Sequence, residues 1–333
     1  MASDPGISFV CCVEAGWLEC NTVRLVESLR RSGGRFADAA LFAVTPRFGP
    51  PLSRATQNVF RARGVKHIRP TASQQYAWFD YFNKPLALVS AEEHIRTESV
   101  GFLDSDLLIV KEPEQLELAP SEDLLACPLE IKEMGTIGPG DPYEEFWRAS
   151  CKVAGIELEA LPWVTTAQTK ERIRLYFNSG IFVYRRASGF SKEYLRLCRA
   201  LLDSAVGTNA PNYGLGFKEQ VSVAFAAMTL NLKWRALPYS HNYSMSSRTH
   251  EHHYSLELLK DARVVHYHDA MWPPFWGTFL RCMQDAHPEA ASWLSSLGPM
   301  KNDSSLHWRL ISRFLRMARR RKAERYRASC MIH

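Results

Sequence analysis

The first part of the chain alternates between short apolar runs and longer amphipathic stretches. Residues 7–13 form a continuous apolar run, which is typical of a strand buried on both faces. The strands that this pattern predicts are residues 7–13, 39–45, 65–68 and 99–103. The helices between them are residues 21–31, with Asn21 as the expected N-cap, 52–63 and 84–94. Alternation of this kind predicts an α/β fold with a Rossmann-like sheet.

The second half of the chain is less regular. Its pattern predicts helices over residues 143–154, 190–202, 218–230 and 273–283, and strands over residues 175–184 and 264–268. We find no internal repeat and no low-complexity linker between the halves. We therefore predict one domain over residues 1–300, followed by a basic amphipathic tail over residues 301–333.

The net charge separates the tail from the rest of the chain. The chain has 333 residues, of which 46% are hydrophobic and 23% charged, and this composition is that of a globular protein. The net charge is +6, yet residues 309–333 carry +8 and residues 1–308 carry −2. A slightly acidic body argues against a nucleic-acid partner. Because no membrane-spanning stretch or secretory signal is visible, we expect a cytoplasmic protein.

The spacing of apolar positions over residues 307–327 of the tail predicts an amphipathic helix. Apolar residues recur there at helical spacing, and arginines fill most other positions; the apolar residues are Trp308, Ile311, Leu315 and Ala318, with Leu310, Phe314 and Met317 beside them. This composition is typical of a helix that lies on an anionic membrane surface. It is equally typical of a solvated terminal helix that packs on the body. Peripheral contact with the inner face of a membrane is thus one of two hypotheses for this segment.

Acidic and imidazole side chains follow two of the predicted strands. Asp104 and Asp106 are separated by one residue and come directly after a buried strand, where they offer hard oxygen ligands for Mg²⁺ or Mn²⁺. A divalent ion there would neutralise a diphosphate. His266, after another apolar run, offers an imidazole, which suits Mn²⁺ better than Mg²⁺. The alternatives are a polar turn for the two acids and a core or rim histidine for His266.

Two further motifs carry polar groups that suit a sugar or a phosphate. Asn178 and Ser179 interrupt a strand-like run and would expose an amide and a hydroxyl group, unless the break is only a β-bulge at Gly180. Lys84 opens the helix before the Asp104 strand, where the field of a helix N-terminus attracts phosphate. The alternative for Lys84 is a solvated first-turn lysine.

The order of these motifs resembles that of the glycogenin/LgtC-like branch of the GT-A glycosyltransferases, family eight in the usual classification. That family has a lysine-bearing helix, a strand ending in DxD, an FNSG(I/V)FV segment, an acid–Gln pair, and an apolar strand ending in His. The matching positions here are Lys84, Asp104-Ser105-Asp106, residues 177–183, Glu219-Gln220 and Val264-Val265-His266. The resemblance spans residues 7 to 275. It implies a GT-A fold, in which helices flank a mixed sheet.

The resemblance also implies a site. Asp104, Asp106 and His266 would hold Mn²⁺ (or Mg²⁺) against the diphosphate of a nucleotide-sugar donor. The residues implied to bind the donor are Val13, Glu14 and Ala15 at the nucleotide, Lys84 at the phosphates or the sugar, Ser105 between the two metal-binding acids, and Ser179 at the sugar. The residues implied to be catalytic are Asn178, Glu219 and Gln220.

The chain departs from the family pattern at two places. Glu219 stands where the family usually has Asp. The family's HxxGxxKPW signature reads HYHDAMWP from His266, so that its Gly and its diphosphate-binding Lys are missing. We expect His268 to contact the diphosphate instead. A retaining reaction is favoured, and Glu219 is the candidate base if the reaction inverts the anomeric configuration.

We therefore expect a metal-dependent glycosyltransferase that uses a nucleotide diphosphate donor, with UDP as the expected nucleotide, and an acceptor that the sequence does not identify. A sugar-1-phosphate nucleotidyltransferase is an alternative. It would need a Gly-rich loop bearing Lys or Arg after the first strand, and residues 13–19 contain none. A non-catalytic protein that binds a nucleotide-sugar or a partner is the other alternative, supported by the altered signature after His266.

Overall fold

The computed structural model describes residues 6–71, 75–210, 214–302 and 304–333. The strands are β1 (Ile7–Cys12), β2 (Ala40–Val44), β3 (Val65–Ile68), β4 (Ser99–Leu103), β5 (Leu107–Ile109), β6 (Leu124–Pro128), β7 (Trp163–Thr165), β8 (Arg172–Arg174), β9 (Phe177–Arg185), β10 (Val206–Gly207), β11 (Trp234–Ala236), β12 (Tyr243–Ser244), β13 (Val264–His266) and β14 (Met331–Ile332). The helices are α1 (Trp17–Ser32), α2 (Arg54–Ala62), α3 (Asn83–Glu92), α4 (Glu144–Ala154), α5 (Phe190–Asp203), α6 (Leu215–Thr229), α7 (Ser247–His253), α8 (Leu256–Asp261), α9 (Trp276–Ala286), α10 (Pro288–Leu297) and α11 (Leu306–Ser329).

A mixed sheet forms the centre of the fold, as the sequence predicts. Its strand order is β11-β6-β9-β4-β1-β2-β3, and β9 runs antiparallel to both of its neighbours while the other adjacent pairs are parallel. The carboxyl ends of β1, β2, β4 and β6 consequently meet at one edge of the sheet. A smaller sheet, β12-β13-β5, lies beside it, and β13 pairs with β5 in antiparallel fashion. Ligands of such sheets bind at the carboxyl edge.

The two faces of the central sheet are both buried, which explains the continuous apolar run of β1. Val10 and Phe102 belong to a core cluster on the side of α3, α5 and α6, whereas Phe9 and Leu103 pack in a second cluster with α1 and α2. A Cβ atom at Gly101 would lie 2.6 Å from the Phe9 ring. Glycine at this position therefore allows β1 and β4 to pair closely.

The first helix begins earlier than the sequence predicts. α1 starts at Trp17, and Asn21, the expected N-cap, is buried inside the helix. The reason is Glu19, whose carboxylate accepts a hydrogen bond from the backbone N–H of Gly16 at 2.8 Å. An acidic residue in the first turn thus satisfies an N–H group that would otherwise need a cap, so the prediction for Asn21 is wrong.

The predicted basic helix at the C-terminus is confirmed as α11, and it packs on the body. Ala323 is buried, and the hydroxyl of Tyr326 lies 2.6 Å from the Nζ atom of Lys218. Beyond the helix, β14 pairs in parallel with β10. The division into a domain over residues 1–300 and a tail over residues 301–333 stays a prediction.

The outward face of α11 is apolar over its first three turns. Its exposed large side chains at helical spacing are Leu306, Leu310, Phe314 and Met317. The predicted stripe differs, because Leu315 turns towards the body while Ile311 and Ala318 are exposed. None of the helices in the described ranges combines the length and the apolar content that a bilayer crossing requires.

Candidate active site

Most of the predicted site residues line one cavity at the carboxyl edge of the sheet. The cavity has a volume of about 320 Å³. The residues that link β4 to β5, the first part of β9, the start of α6 and the end of β13 converge on it. The predicted site residues that line it are Lys84, Asp104, Asp106, Asn178, Ser179, Glu219, Gln220, His266 and His268. Motifs spread over more than half of the chain are therefore brought together.

Asp106, His266 and His268 form the cluster in the described residues that could hold a metal ion. One ligand atom from each side chain lies within 4.8 Å of the others. The Nε2 atom of His266 is 3.3 Å from one carboxylate oxygen of Asp106, and the Nδ1 atom of His268 is 3.8 Å from the other. The two imidazole rings stack with their centroids 3.8 Å apart. Pairing of β13 with β5 fixes this arrangement, since His266 is opposite Leu107.

Each imidazole of this cluster is oriented by a second contact on its far side. The Nδ1 atom of His266 lies 3.1 Å from Oδ1 of Asn242, and the Nε2 atom of His268 lies 3.2 Å from the hydroxyl of Ser244. The nitrogen that remains on each ring faces Asp106. Such second contacts fix the tautomer and the orientation of histidine ligands in metal sites.

The electrostatics of the cluster keep one imidazole neutral. Burial disfavours the charged form of Asp106, but the neighbouring His266 outweighs this effect, so the pKa of Asp106 lies well below its usual range. Burial together with the adjacent His266 lowers the pKa of His268 to about 3. His268 is therefore neutral at physiological pH and has a lone pair available. Neutral imidazole and carboxylate are a donor set that suits a divalent metal ion.

Asp104 forms an ion pair with Lys84. The Nζ atom of Lys84 donates to Asp104 Oδ2 at 2.8 Å and to the hydroxyl of Ser179 at 3.0 Å. Burial alone would lower the pKa of Lys84, but Asp104 and then Glu219 raise it above its usual value. Lys84 is therefore a buried cation rather than a solvated lysine. The predicted role of Asp104 as a metal ligand stays a prediction.

Glu219 is buried beside this ion pair. Its carboxylate accepts hydrogen bonds from the hydroxyl of Ser179, at 3.1 Å, and from the hydroxyl of Tyr194. The Nζ atom of Lys84 lies 3.9 Å away. Burial raises the pKa of Glu219 to about 7, although the Lys84 cation favours the ionised form. Burial therefore favours the protonated form of this carboxyl group more than in an exposed glutamate.

The Asn178-Ser179-Gly180 segment bulges out of register with β6, so the alternative of a β-bulge is present, and Asn178 and Ser179 also line the cavity. Ala126 is opposite Phe182, but the next residue, Cys127, is already opposite Asn178. The carbonyl oxygen of Gly180 accepts from the N–H of Asp104 at 2.8 Å. The bulge therefore ties β9 to the acidic turn after β4 and leaves Ser179 facing Lys84.

Four predicted donor residues lie outside this cavity. Val13 is buried, and the Ser105 hydroxyl donates to the carbonyl oxygen of Cys12 at 2.5 Å, so this side chain ties the acidic turn to β1. Glu14 and Ala15 line a neighbouring, larger cavity. The expected contacts of these four residues with a donor stay predictions.

Four further side chains line the site without having been predicted from the sequence, and Phe217 in α6 is one of them. Glu130 and Glu133 follow β6, and Tyr81 precedes α3. Burial and the nearby Glu130 raise the pKa of Glu133 to about 7. The sequence does contain a signal for Glu130 and Glu133, because both follow an apolar strand, β6, within a few residues. The carboxyl end of β6 lies at the same edge of the sheet as the carboxyl end of β4. Placing β6 there requires the strand order, which local patterns do not provide.

The fold and the cavity define a glycosyltransferase of the GT-A type. Residues 9–230 match the family model described as the Rhodobacterales glycosyltransferase domain. This match covers more than half of the chain, and the chain belongs to that family. Because the chain belongs to a glycosyltransferase family, the alternative of a sugar-1-phosphate nucleotidyltransferase is excluded. No curated protein matches the chain by sequence.

Solved glycosyltransferase structures share the fold at low sequence identity. The apo structure of the bifunctional glycosyltransferase WbbM has a TM-score of 0.50 and 12% identity, with 88% of this chain and 51% of WbbM covered. An active-site mutant of LgtC has a TM-score of 0.50 and 12% identity, with 91% of this chain and 99% of LgtC covered. The chain thus spans about half the length of WbbM and nearly all of LgtC. The predicted GT-A fold and the resemblance to the LgtC-like branch are confirmed.

The packing of His266 on Gly180 gives a first test of this site. A Cβ atom at residue 180 would lie 2.6 Å from Cε1 of His266, so Gly180→Ala must displace the ring. We expect the affinity for Mn²⁺, measured by isothermal titration calorimetry, to fall about tenfold or more, as when a ligand's supporting contact is lost. Gly277→Ala is the control, because its Cβ would meet only Arg281, at 3.9 Å. Unchanged Mn²⁺ binding by a folded Gly180→Ala protein would contradict the role given to His266.

Proposed function

We propose that the chain transfers a sugar from a nucleotide diphosphate donor, with UDP as the nucleotide, to an acceptor hydroxyl, in a reaction that depends on Mn²⁺ or Mg²⁺ and retains the anomeric configuration. The observation that carries this proposal is the cluster of Asp106, His266 and His268 at the carboxyl edge of the sheet. Each imidazole of the cluster has a second polar contact on its far side, and its other nitrogen faces the carboxylate of Asp106. The chemistry of these three side chains fits a divalent ion.

The three residues of this cluster would hold the ion. Asp104 lies two residues before Asp106, and we propose it as a further ligand. A bound divalent ion would neutralise charge on the donor diphosphate. Lys84 supplies a second positive charge at the same cavity and is fixed by Asp104 and Ser179. A cation held in place before the substrate arrives needs no reorganisation to stabilise a leaving phosphate.

The contacts of Glu219 favour retention over inversion. An inverting reaction needs a base with a carboxylate oxygen free to reach the acceptor hydroxyl. Both carboxylate oxygens of Glu219 instead accept hydrogen bonds from side chains, one from Ser179 and one from Tyr194. Glu219 is thus better suited to orient Ser179 and Lys84 than to remove a proton. Asn178 and Gln220 line the same cavity and have amide groups that suit sugar hydroxyls.

Removing a ligand from the cluster tests the proposal. We expect Asp106→Ala and His266→Ala each to lower sugar release from UDP-glucose or UDP-galactose in the presence of Mn²⁺ by about a hundredfold or more, because a charge-stabilising contact is lost. Asp285→Ala, which removes an exposed acid on α9, is the matched control and keeps wild-type activity. Circular dichroism shows whether each variant is folded.

The same assay tests the proposed metal dependence and the proposed donor nucleotide independently. A chelator is expected to abolish turnover and added Mn²⁺ to restore it. Full turnover in chelator would refute the metal dependence. Turnover with GDP- or CMP-sugars alone would refute the choice of UDP, and binding of UDP-sugars without any turnover would favour the non-catalytic alternative.

We also propose that α11 brings the protein to an anionic membrane surface. This part of the proposal rests on the exposed apolar face of α11 and on the arginines beside it, a combination that suits acidic lipid headgroups above acyl chains. The side chains of Leu310 and Phe314 are 58% and 69% exposed, which is unusual for two large apolar residues one turn apart.

Vesicle sedimentation tests this contact. We expect Leu310→Ser/Phe314→Ser to reduce binding to phosphatidylglycerol-containing vesicles about tenfold or more, since two buried side chains contribute several kcal/mol at an interface. The control Ile137→Ser/Leu297→Ser removes two exposed apolar residues away from α11, 55% and 49% exposed, and keeps wild-type binding. If the wild-type protein stays in the supernatant when such vesicles are sedimented, the membrane contact is refuted. α11 is then a solvated helix.

A further inference from the structure

A second cavity lies between α11 and the loops that follow β1 and β2; we call it the tail cleft. Its volume is about 660 Å³. On the side of the body it is lined by Glu14, Ala15, Thr45 and Arg47, and on the other side by α11. The tail cleft therefore lies at the same carboxyl edge of the sheet as the active-site cavity.

Arginines of α11 line the tail cleft at helical spacing. Arg313, Arg316 and Arg320 follow one another at intervals of three and four residues, and Arg327 comes seven residues later. Residues at these intervals share one edge of a helix. We call these four residues the arginine edge. It is distinct from the apolar outward face of α11, on which Leu310 and Phe314 lie.

The arginine edge carries more positive charge than the tail cleft can neutralise. The acids that line the cleft, Glu14 and Asp80, both pair with Arg47. Arg320 pairs with Glu324 on the same helix, but Arg313 and Arg316 have no ion-pair partner within the described ranges. The Nε atom of Arg327 is buried and has no hydrogen-bond partner there. A buried donor without a partner is costly, so the cleft is suited to an anionic ligand that brings acceptor oxygens.

Some residues that line the tail cleft are adjacent in sequence, or hydrogen-bonded, to neighbours of residues that line the active-site cavity. Glu14, in the tail cleft, accepts a hydrogen bond at 2.9 Å from the Nδ2 atom of Asn83, whose neighbour Lys84 lines the active-site cavity. Asp80 lines the tail cleft, and the next residue, Tyr81, lines the active-site cavity. A ligand with its diphosphate beside Asp106 would therefore extend its nucleoside along this edge towards α11.

We propose that the arginine edge of α11 binds the nucleotide of the donor, contacting its phosphates and covering its nucleoside. This inference rests on the proposed function, since it gives the nucleotide of that donor a second contact surface. The guanidinium group suits both parts of such a ligand. It binds phosphate oxygens through two parallel hydrogen bonds and stacks on planar rings. The C-terminal helix is then a wall of the donor site.

Calorimetric titration of UDP in the presence of Mn²⁺ tests this inference on the full-length protein. We expect Arg313→Gln/Arg316→Gln to weaken UDP binding about tenfold or more, because charge-assisted hydrogen bonds are lost. Arg321→Gln/Arg325→Gln is the matched control: it removes two exposed arginines from the same helix that do not line the cleft. UDP binding by this control is expected to stay within about twofold of wild type.

The outcomes separate this inference from the function on which it rests. Selective weakening by the first pair of substitutions supports a donor contact. Equal UDP affinity in both variants and the wild type would overturn the arginine edge as a nucleotide contact and leave the proposed function standing. Loss of anionic-vesicle binding by the first pair, with UDP affinity unchanged, would also overturn it. Failure of wild-type protein to bind UDP at all would refute the proposed function itself.

Discussion

A buried lysine ammonium holds the active-site cavity together. Lys84 comes from α3, and its partners come from the end of β4, from the bulge of β9 and from α6. A charge in this environment is tolerated only if it is paired and hydrogen-bonded, so the positions of Asp104, Ser179 and Glu219 are interdependent. Asp104 contacts this lysine in the structure, whereas Asp106 faces the two histidines. The cavity is thus divided into a cationic part at Lys84 and a part that contains the candidate metal cluster.

The sequence predicted the fold class and most of the cavity, because both leave local signals. Apolar runs separated by amphipathic stretches indicated the α/β sheet, and the order of short motifs indicated which polar residues follow its strands. Asp106 and His266 are far apart in sequence, yet their contact could be expected from the resemblance. The break at Gly180 was also visible, since glycine and two polar residues interrupt an apolar run.

Features that depend on long-range pairing could not be predicted in this way. The Lys84–Asp104 ion pair requires α3 to pack over β1, the strand that pairs with β4, and the approach of Glu133 requires β6 to lie beside β9. Asn21 was misassigned as a cap because the side chain of Glu19, which replaces it, reaches back to Gly16. The packing of α11 is decided by contacts such as that of Tyr326 with Lys218, more than a hundred residues away.

The C-terminal helix changes how the charge of the chain is understood. From composition alone, the basic tail and the slightly acidic body are separate features. In the structure, one edge of α11 faces the carboxyl ends of β1 and β2, and its outward face is apolar. The positive charge of the tail is thus placed beside the acids of the site, along one continuous edge of the sheet.

Electron paramagnetic resonance of Mn²⁺ bound together with UDP tests the central claim most directly. The claim is that Asp106 and the two histidines hold a divalent ion at the place where the donor diphosphate binds. The account predicts hyperfine coupling of the Mn²⁺ spin to imidazole nitrogen and to phosphorus in the same complex, with the nitrogen coupling reduced in His266→Ala. Coupling to phosphorus without any coupling to nitrogen would contradict it.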